Sequence, residues 1–392
     1  MILALFIFLY SLFSIRIEKT AISGPVLALI VGFIFGPMLL KLTNVNVDTE
    51  DYRIIAELAL ALVLFTDASK VNLSVLENNA SLPTRLLLIG LPLTIVFGMI
   101  GGFLIFKGIS WIEVGILATM LAPTDAALGK AVVTNPSVPS KIREALNVES
   151  GLNDGISVPV LFLFIAVITT QNGEGLSSFY GFQLFAEEIG IGLLVGLGIS
   201  FVGDWLIHFS MKRKWISESW KPIVIIALAF SCFSLAQIAG GSGFIACFTG
   251  GFLYGVLNKK YKLNRNLVES AEGAGDTMSM LTWLIFGAFV IAANIKDFTW
   301  EVIIYAFMSL TIIRIIPVFL SLINAGISRK EKLFMGWFGP RGLASIVFAI
   351  IVLDVQMPHK STIVLTVVCT ILLSVVLHGF TANPFIKSLN KK

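Results

Sequence analysis

Apolar residues run along this chain in blocks of about 20, the length a helix needs to cross the hydrocarbon core of a bilayer. Short breaks rich in charge, glycine or proline separate the blocks. The pattern predicts thirteen spans, near residues 1–17, 20–41, 52–69, 83–106, 111–134, 141–170, 180–208, 220–239, 243–258, 278–295, 299–323, 331–353 and 360–386. The first span lacks the basic start and small-residue cleavage site of a signal peptide, so it is read as a retained helix. The stretches between spans are too short for a separate soluble domain, and any regulation is expected to lie within the membrane part.

Composition agrees with lipid as the main solvent. Hydrophobic residues make up 56% of the chain and charged residues 13%, and the mean hydropathy is +0.91. The 28 Lys and Arg residues fix an expected orientation, because positive loops stay cytoplasmic. With the N-terminus outside, only Lys41, Arg53, Lys107, Lys296 and Lys360 face the exterior. Arg314 and Arg341 fall within spans, and all other basic residues lie on the inner face. The expected location is thus the inner (cytoplasmic) membrane, with the C-terminus inside. The basic excess reflects topology and not nucleic-acid binding. Cys232, Cys247 and Cys369 lie singly in apolar spans and read as packing residues.

An internal repeat is visible at an offset of 219 residues. Ser23-Gly24, Gly32-Phe33 and Gly36 return as Ser242-Gly243, Gly251-Phe252 and Gly255. The same offset nearly superposes Ala122-Pro123-Thr124-Asp125 on Gly339-Pro340-Arg341-Gly342. Taken singly, such glycines only permit close helix packing. Two unrelated motifs at one offset point to duplication. Seven spans separate the partners, so the second copy is inverted, an architecture of secondary transporters with substrate near the membrane midplane.

Charges buried in a membrane are costly, which makes each a functional candidate. Thr124 and Asp125 in the fifth span, with Glu149, Ser150, Asn153 and Asp154 in the sixth, bring carboxylate, hydroxyl and amide oxygens to neighbouring helix faces. These are hard ligands, suited to Na⁺ and protons. Pro123 predicts a break in the fifth helix, tolerated at membrane depth where it lines a cavity or is buried in protein. Asp125 then begins a half-helix, and Arg341 offsets the negative end of another, so both are expected to serve mainly structure over direct ion contact. Glu149 needs a cationic partner, with Arg314 favoured over Arg341. Asp67 either supplies a further oxygen to the site or is interfacial; Glu57 is a weaker candidate. His208, His359 and His378 read as interfacial residues near span ends.

The runs LAPTDAALGKAVV, ALNVESGLNDGISVPV and GPRGLASIVFAI resemble the NhaP-like branch of the monovalent cation:proton antiporters, the sodium/proton exchanger family. The resemblance implies an all-α antiporter fold of about thirteen helices in two inverted six-helix repeats. It implies a core domain of residues 83–170 and 299–392 that moves against a dimerisation domain of 1–82 and 220–298, with 171–219 as the linker helix. It further implies a homodimer without a cofactor, exchanging Na⁺ (or Li⁺ or K⁺) for H⁺. Asp154 would carry the cation or proton, Ser150 and the Thr124 backbone would help coordinate the cation, and Glu149 would pair with an arginine. Asn153 in place of a second carboxylate suggests one-for-one exchange.

Other functions fit less well. Gly273-Ala274-Gly275-Asp276 matches the GxGD pattern of intramembrane aspartyl proteases, but no second aspartate with a matching motif stands in an adjoining span; it reads as a loop turn. A passive channel would need a continuous pore in place of one titrating carboxylate. No GxxxxGK[ST] loop supports ATP-driven pumping.

Overall fold

A computed structural model describes residues 2–18, 23–36, 49–70, 81–125, 127–133, 135–172, 178–258 and 262–389. Of the basic residues counted above for orientation, Lys19, Lys41, Lys259, Lys260, Lys391 and Lys392 lie outside the described residues.

The described residues form helices at all thirteen predicted spans. We number them α1 (Ile2–Glu18), α2 (Gly24–Phe35), α3 (Thr49–Ser69), α4 (Ser81–Ile105), α5 (Trp111–Met120 and Lys130–Val133) and α6 (Ser140–Asn172). There follow α7 (Ser178–Lys212), α8 (Lys221–Ile238), α9 (Gly243–Asn258) and α10 (Lys262–Ile285, continuing through a π-helical turn at Phe286–Ile291). The last are α11 (Trp300–Ser321), α12 (Arg329–Trp337 and Leu343–Leu353) and α13 (Lys360–Leu389). Among the described residues, seven helices are long and apolar enough to cross a membrane on their own. The chain is a multi-pass membrane protein.

Both predicted breaks are present. The helix of α5 stops at Met120, just before Pro123, and that of α12 stops at Trp337, just before Pro340. Each broken helix opens with the same device: Ser110 accepts from the Glu113 amide while Glu113 accepts from the Ser110 amide, and Ser328 and Glu331 do likewise. Such reciprocal caps satisfy two otherwise orphaned donors and fix where a helix begins.

The duplication extends to the contacts. In one compact unit (residues 1–53, 75–153 and 280–392), α2 lies so close to α10 that a Cβ on Gly32 would sit 2.0 Å from the Leu284 carbonyl oxygen. One on Gly36 would sit 2.9 Å from that of Ala288. In the other unit (54–74 and 154–279), α9 meets α3 in the same way. Gly251 would clash with the Phe65 carbonyl at 2.2 Å and Gly255 with that of Ser69 at 2.3 Å. All four residues of each set are related by the 219-residue offset, so glycine is required twice for the same contact. Small residues of this kind let two backbones touch where lipid offers no hydrophobic drive for association.

Two local readings are corrected. Gly273-Ala274-Gly275-Asp276 lies inside α10 and is not a loop turn. His378 is not interfacial: it is 5% exposed, within α13. Its neighbours Ser374 and Trp337 supply polar partners to a side chain that its place near a span end had put at the interface.

Candidate functional site

The two breaks meet within the first unit. The Asp125 amide donates to the Pro340 carbonyl at 2.8 Å, joining one broken backbone to the other. Asp125 then uses both carboxylate oxygens: Oδ1 accepts from the Leu128 amide at 2.9 Å, and Oδ2 from the Leu343 amide at 3.0 Å. Leu343 is the first residue of the second half of α12, where unpaired amides and the helix dipole favour a negative charge. This approach needs a glycine beside it, because a Cβ on Gly342 would lie 1.7 Å from Asp125 Oδ2.

The carbonyl end of the first half of α5 is capped from α12. Ser345 Oγ donates to the Met120 carbonyl at 2.7 Å. Arg341 Nη1 donates to the carbonyls of Ala122 at 2.8 Å and Pro123 at 3.0 Å, and Nη2 reaches Ser309 O at 3.4 Å. The guanidinium is wholly buried. Fixed positive charge therefore faces the negative end of one half-helix, and fixed negative charge faces the positive end of another.

The face of α6 closes the arrangement. Ser150 Oγ donates to the Thr124 carbonyl at 2.6 Å, and Asn153 Nδ2 donates to Thr124 Oγ1 at 2.8 Å. One turn earlier on α6, Glu149 Oε1 lies 2.6 Å from Arg314 Nη2 of α11, with side chains 2% and 1% exposed. Gly339 leaves room for that guanidinium: a Cβ there would be 2.7 Å from Arg314 Nε and 3.0 Å from Thr124 Cγ2. A cavity of about 260 Å³, including space open to solvent, is lined by Thr124, Asp125, Ser150, Pro340, Phe338 and Leu146, with Gly129, Val132 and Val133.

Seven of the sequence-derived residues are thus joined at one crossing: Thr124, Asp125, Glu149, Ser150, Asn153, Arg314 and Arg341. Asp154 follows Asn153 in the same unbroken helix, half-buried. It belongs to the second unit, as does the half-buried Asp67 near the end of α3. Among the described residues no group of three or more His, Cys, Asp or Glu side chains suits a metal ion. Sequence reasoning missed Ser345, Ser374 and His378, which are polar groups in apolar helices whose partners lie far away in the chain. It quoted Gly339 and Gly342 but not the side chains that approach them.

Two broken helices crossing at a polar centre, in inverted repeats, define a secondary-transporter fold. A family model described as the transmembrane sodium/hydrogen exchanger matches residues 2–388, and the chain belongs to that family. Its fold is similar to that of the sodium proton antiporter MjNhaP1 from Methanocaldococcus jannaschii at pH 8. The TM-score is 0.77 at 22% identity, covering 96% of this chain and 98% of the other. In sequence it is 24% identical over 382 residues to the K(+)/H(+) antiporter NhaP of Alkalimonas amylolytica, covering 95% of this chain and 64% of that protein. It is 23% identical to a Na(+)/H(+) antiporter of Schizosaccharomyces pombe, covering 93% and 85%. A K(+)/H(+) antiporter NhaP2 of Shewanella sp. (strain MR-4) is 22% identical, and the chain spans about half the length of that relative, 53%.

Proposed function

We propose that this protein is a secondary transporter that exchanges a monovalent cation, Na⁺, Li⁺ or K⁺, for a proton by alternating access. The observation that carries the reading is the pairing of Ser150 and Asn153 with Thr124 at the break of α5. A helix interrupted there presents a backbone carbonyl and a threonine hydroxyl beside a serine and an amide, and Asp154 is the next residue of α6. Asp154 is the carboxylate for which cation and proton compete. Thr124, Ser150 and Asn153 supply neutral oxygens or position them, and Asp67 is a further candidate oxygen. Asp125 and Arg341 hold the half-helices, while Glu149 and Arg314 hold α6 to α11.

Competition at one carboxylate supplies pH control without a separate sensor. At low pH the proton keeps the cation out; at very high pH the proton half-cycle starves. In this reading residues 83–170 and 299–392 form the moving core, residues 1–82 and 220–298 form the surface of a homodimer, and 171–219 link them. The N-terminus faces out and the C-terminus faces the cytoplasm of a cell inner membrane, in keeping with the basic inner loops.

The test is cation-driven proton flux in liposomes, for the wild-type chain and for Asp154→Asn, with Na⁺, Li⁺ and K⁺ in turn. Exchange in the wild type and its loss in a folded Asp154→Asn protein is the expected result. Substantial exchange in the variant would overturn the assignment of Asp154.

A further inference from the structure

We infer that His378 is a positioning residue for the ion site: its imidazole, with Ser374 one turn earlier on α13, pins both ends of the α12 break. The inference rests on the proposed exchange only for its functional readout. Its geometry stands apart.

Four contacts carry it. His378 Nε2 lies 2.8 Å from the Trp337 carbonyl, the last residue of the first half of α12. His378 Nδ1 lies 3.2 Å from Ser374 Oγ and 2.9 Å from Ser374 O. Ser374 Oγ in turn accepts from the Arg341 amide at 2.8 Å. Both side chains are buried, Ser374 at 0% and His378 at 5% exposure. Since Nε2 faces a carbonyl, which only accepts, Nε2 carries a proton whichever partner Nδ1 takes.

The break between the α12 halves runs from Phe338 to Gly342. Its start is held by His378 at Trp337 and its end by Ser374 at Arg341. Arg341 is the residue whose guanidinium caps Ala122 and Pro123, immediately before Thr124. Pro340, inside the same segment, receives the Asp125 amide. A shift of this short segment therefore moves both the cap on α5 and the anchor of Asp125. The carbonyls at the end of a half-helix lose their donors one turn on, and within the membrane that loss is costly; the Trp337 carbonyl takes the Gly339 amide at 2.9 Å on one lone pair and His378 on the other. His378 does for the first half of α12 what Arg341 does for the first half of α5, so each broken helix has its carbonyl end capped by a side chain from another helix.

Glutamine and asparagine separate the cap from mere bulk. A glutamine amide nitrogen reaches about where Nε2 sits, whereas that of asparagine reaches only the place of Nδ1. The experiment compares His378→Gln and His378→Asn in the full chain, reconstituted in liposomes. It records the half-saturating Na⁺ concentration, the maximal rate, and hydrogen exchange at the Arg341 amide. His378→Gln should keep the half-saturating concentration within about twofold of wild type, while His378→Asn should raise it about tenfold and speed exchange at Arg341 by a similar factor, as loss of one buried hydrogen bond implies. Ser374→Ala should also speed exchange at Arg341 and add little to His378→Asn. Equal behaviour of the Gln and Asn variants, whether both impaired or both normal, would overturn the cap. If the wild type carries no Na⁺ or other monovalent cation, the proposed function fails, and amide exchange in the same variants still decides the role of His378.

Discussion

Arg341 donates a hydrogen bond to the carbonyl of Ala122, which lies in the helix break that corresponds to Arg341's own in the internal repeat. In a structure built from two inverted copies, a segment meets its equivalent only close to the axis that relates them. The crossing of α5 and α12 therefore marks the centre of the duplicated fold, and the proposed site is built around it. Duplication created the geometry, but the chemistry has diverged. One copy brings a guanidinium where the other presents backbone carbonyls, so the two breaks complement each other.

That relationship predicts a large stability cost for removing the guanidinium. Arg341→Leu leaves the Ala122 and Pro123 carbonyls without their buried donor, each costing about 1–3 kcal/mol. The variant should unfold well below the wild type in a thermal scan in detergent. An unchanged midpoint would show that these carbonyls find other partners.

The close approach at Gly342 makes a second case. Gly342→Ala places a methyl group where Asp125 Oδ2 now lies, so the carboxylate must leave the Leu343 amide or the backbone must shift. Loss of a helix-capping contact typically costs about 0.5–2 kcal/mol, and overpacking adds about 1–3 kcal/mol. Gly198, which has open space around it and no positive φ, is the control site for chain-wide effects. Thermal midpoints of Gly342→Ala in the wild-type and Asp125→Asn backgrounds give the answer: the two losses should be far from additive. Additive losses would separate the glycine from the carboxylate.

The Glu149–Arg314 pair predicts coupling of another kind. Both side chains are almost wholly buried, so removing one leaves an uncompensated charge, at a cost of about 3–5 kcal/mol, whereas removing both does not. Glu149→Gln and Arg314→Met should each lower thermal stability more than the double variant does. A double variant no more stable than the worse single would show that the two charges do not hold α6 to α11.

Much of this was legible in the sequence because lipid leaves so little freedom. Helix is the one solution for these apolar runs in the described residues, and Pro123 and Pro340 announce their breaks by lacking an amide. Glu149, Arg314 and Arg341 stood out since a charge within a span demands a partner. What could not be read was the polar scaffold of ordinary residues. Ser345 and Ser374 look like any small residue tolerated in a helix. His378 had no local sign of the Trp337 carbonyl it meets, because that carbonyl is freed only by the break in a different helix. Gly342 was visible as part of a motif, but the reason for it is a carboxylate more than two hundred residues away. Such contacts depend on how helices cross, which spacing along one helix does not encode.

The identity of residue 153 leads to the last prediction, that exchange is electroneutral. Asn153 spends its amide nitrogen on Thr124 Oγ1 and cannot titrate, which leaves Asp154 as the carboxylate of that turn of α6. One carboxylate carries either one proton or one monovalent cation, so the loaded carrier has the same charge on both legs of the cycle. A second carboxylate at 153 would allow two protons to exchange for one cation. Each turnover would then move one charge, worth ~2.3 kcal/mol per 100 mV of membrane potential, enough to bias accumulation by well over tenfold. Asp125 is the group that would break this scheme if it titrated, but both its oxygens are bonded to backbone amides at the starts of half-helices. The measurement is the steady-state Na⁺ gradient in liposomes whose potential is set by a lipophilic-cation gradient at several values. A gradient that follows the pH difference alone is expected. A gradient that shifts systematically with voltage would rule out one-for-one exchange, and repeating the measurement with Asp125→Asn would then identify whether Asp125 is the group that moves the extra charge.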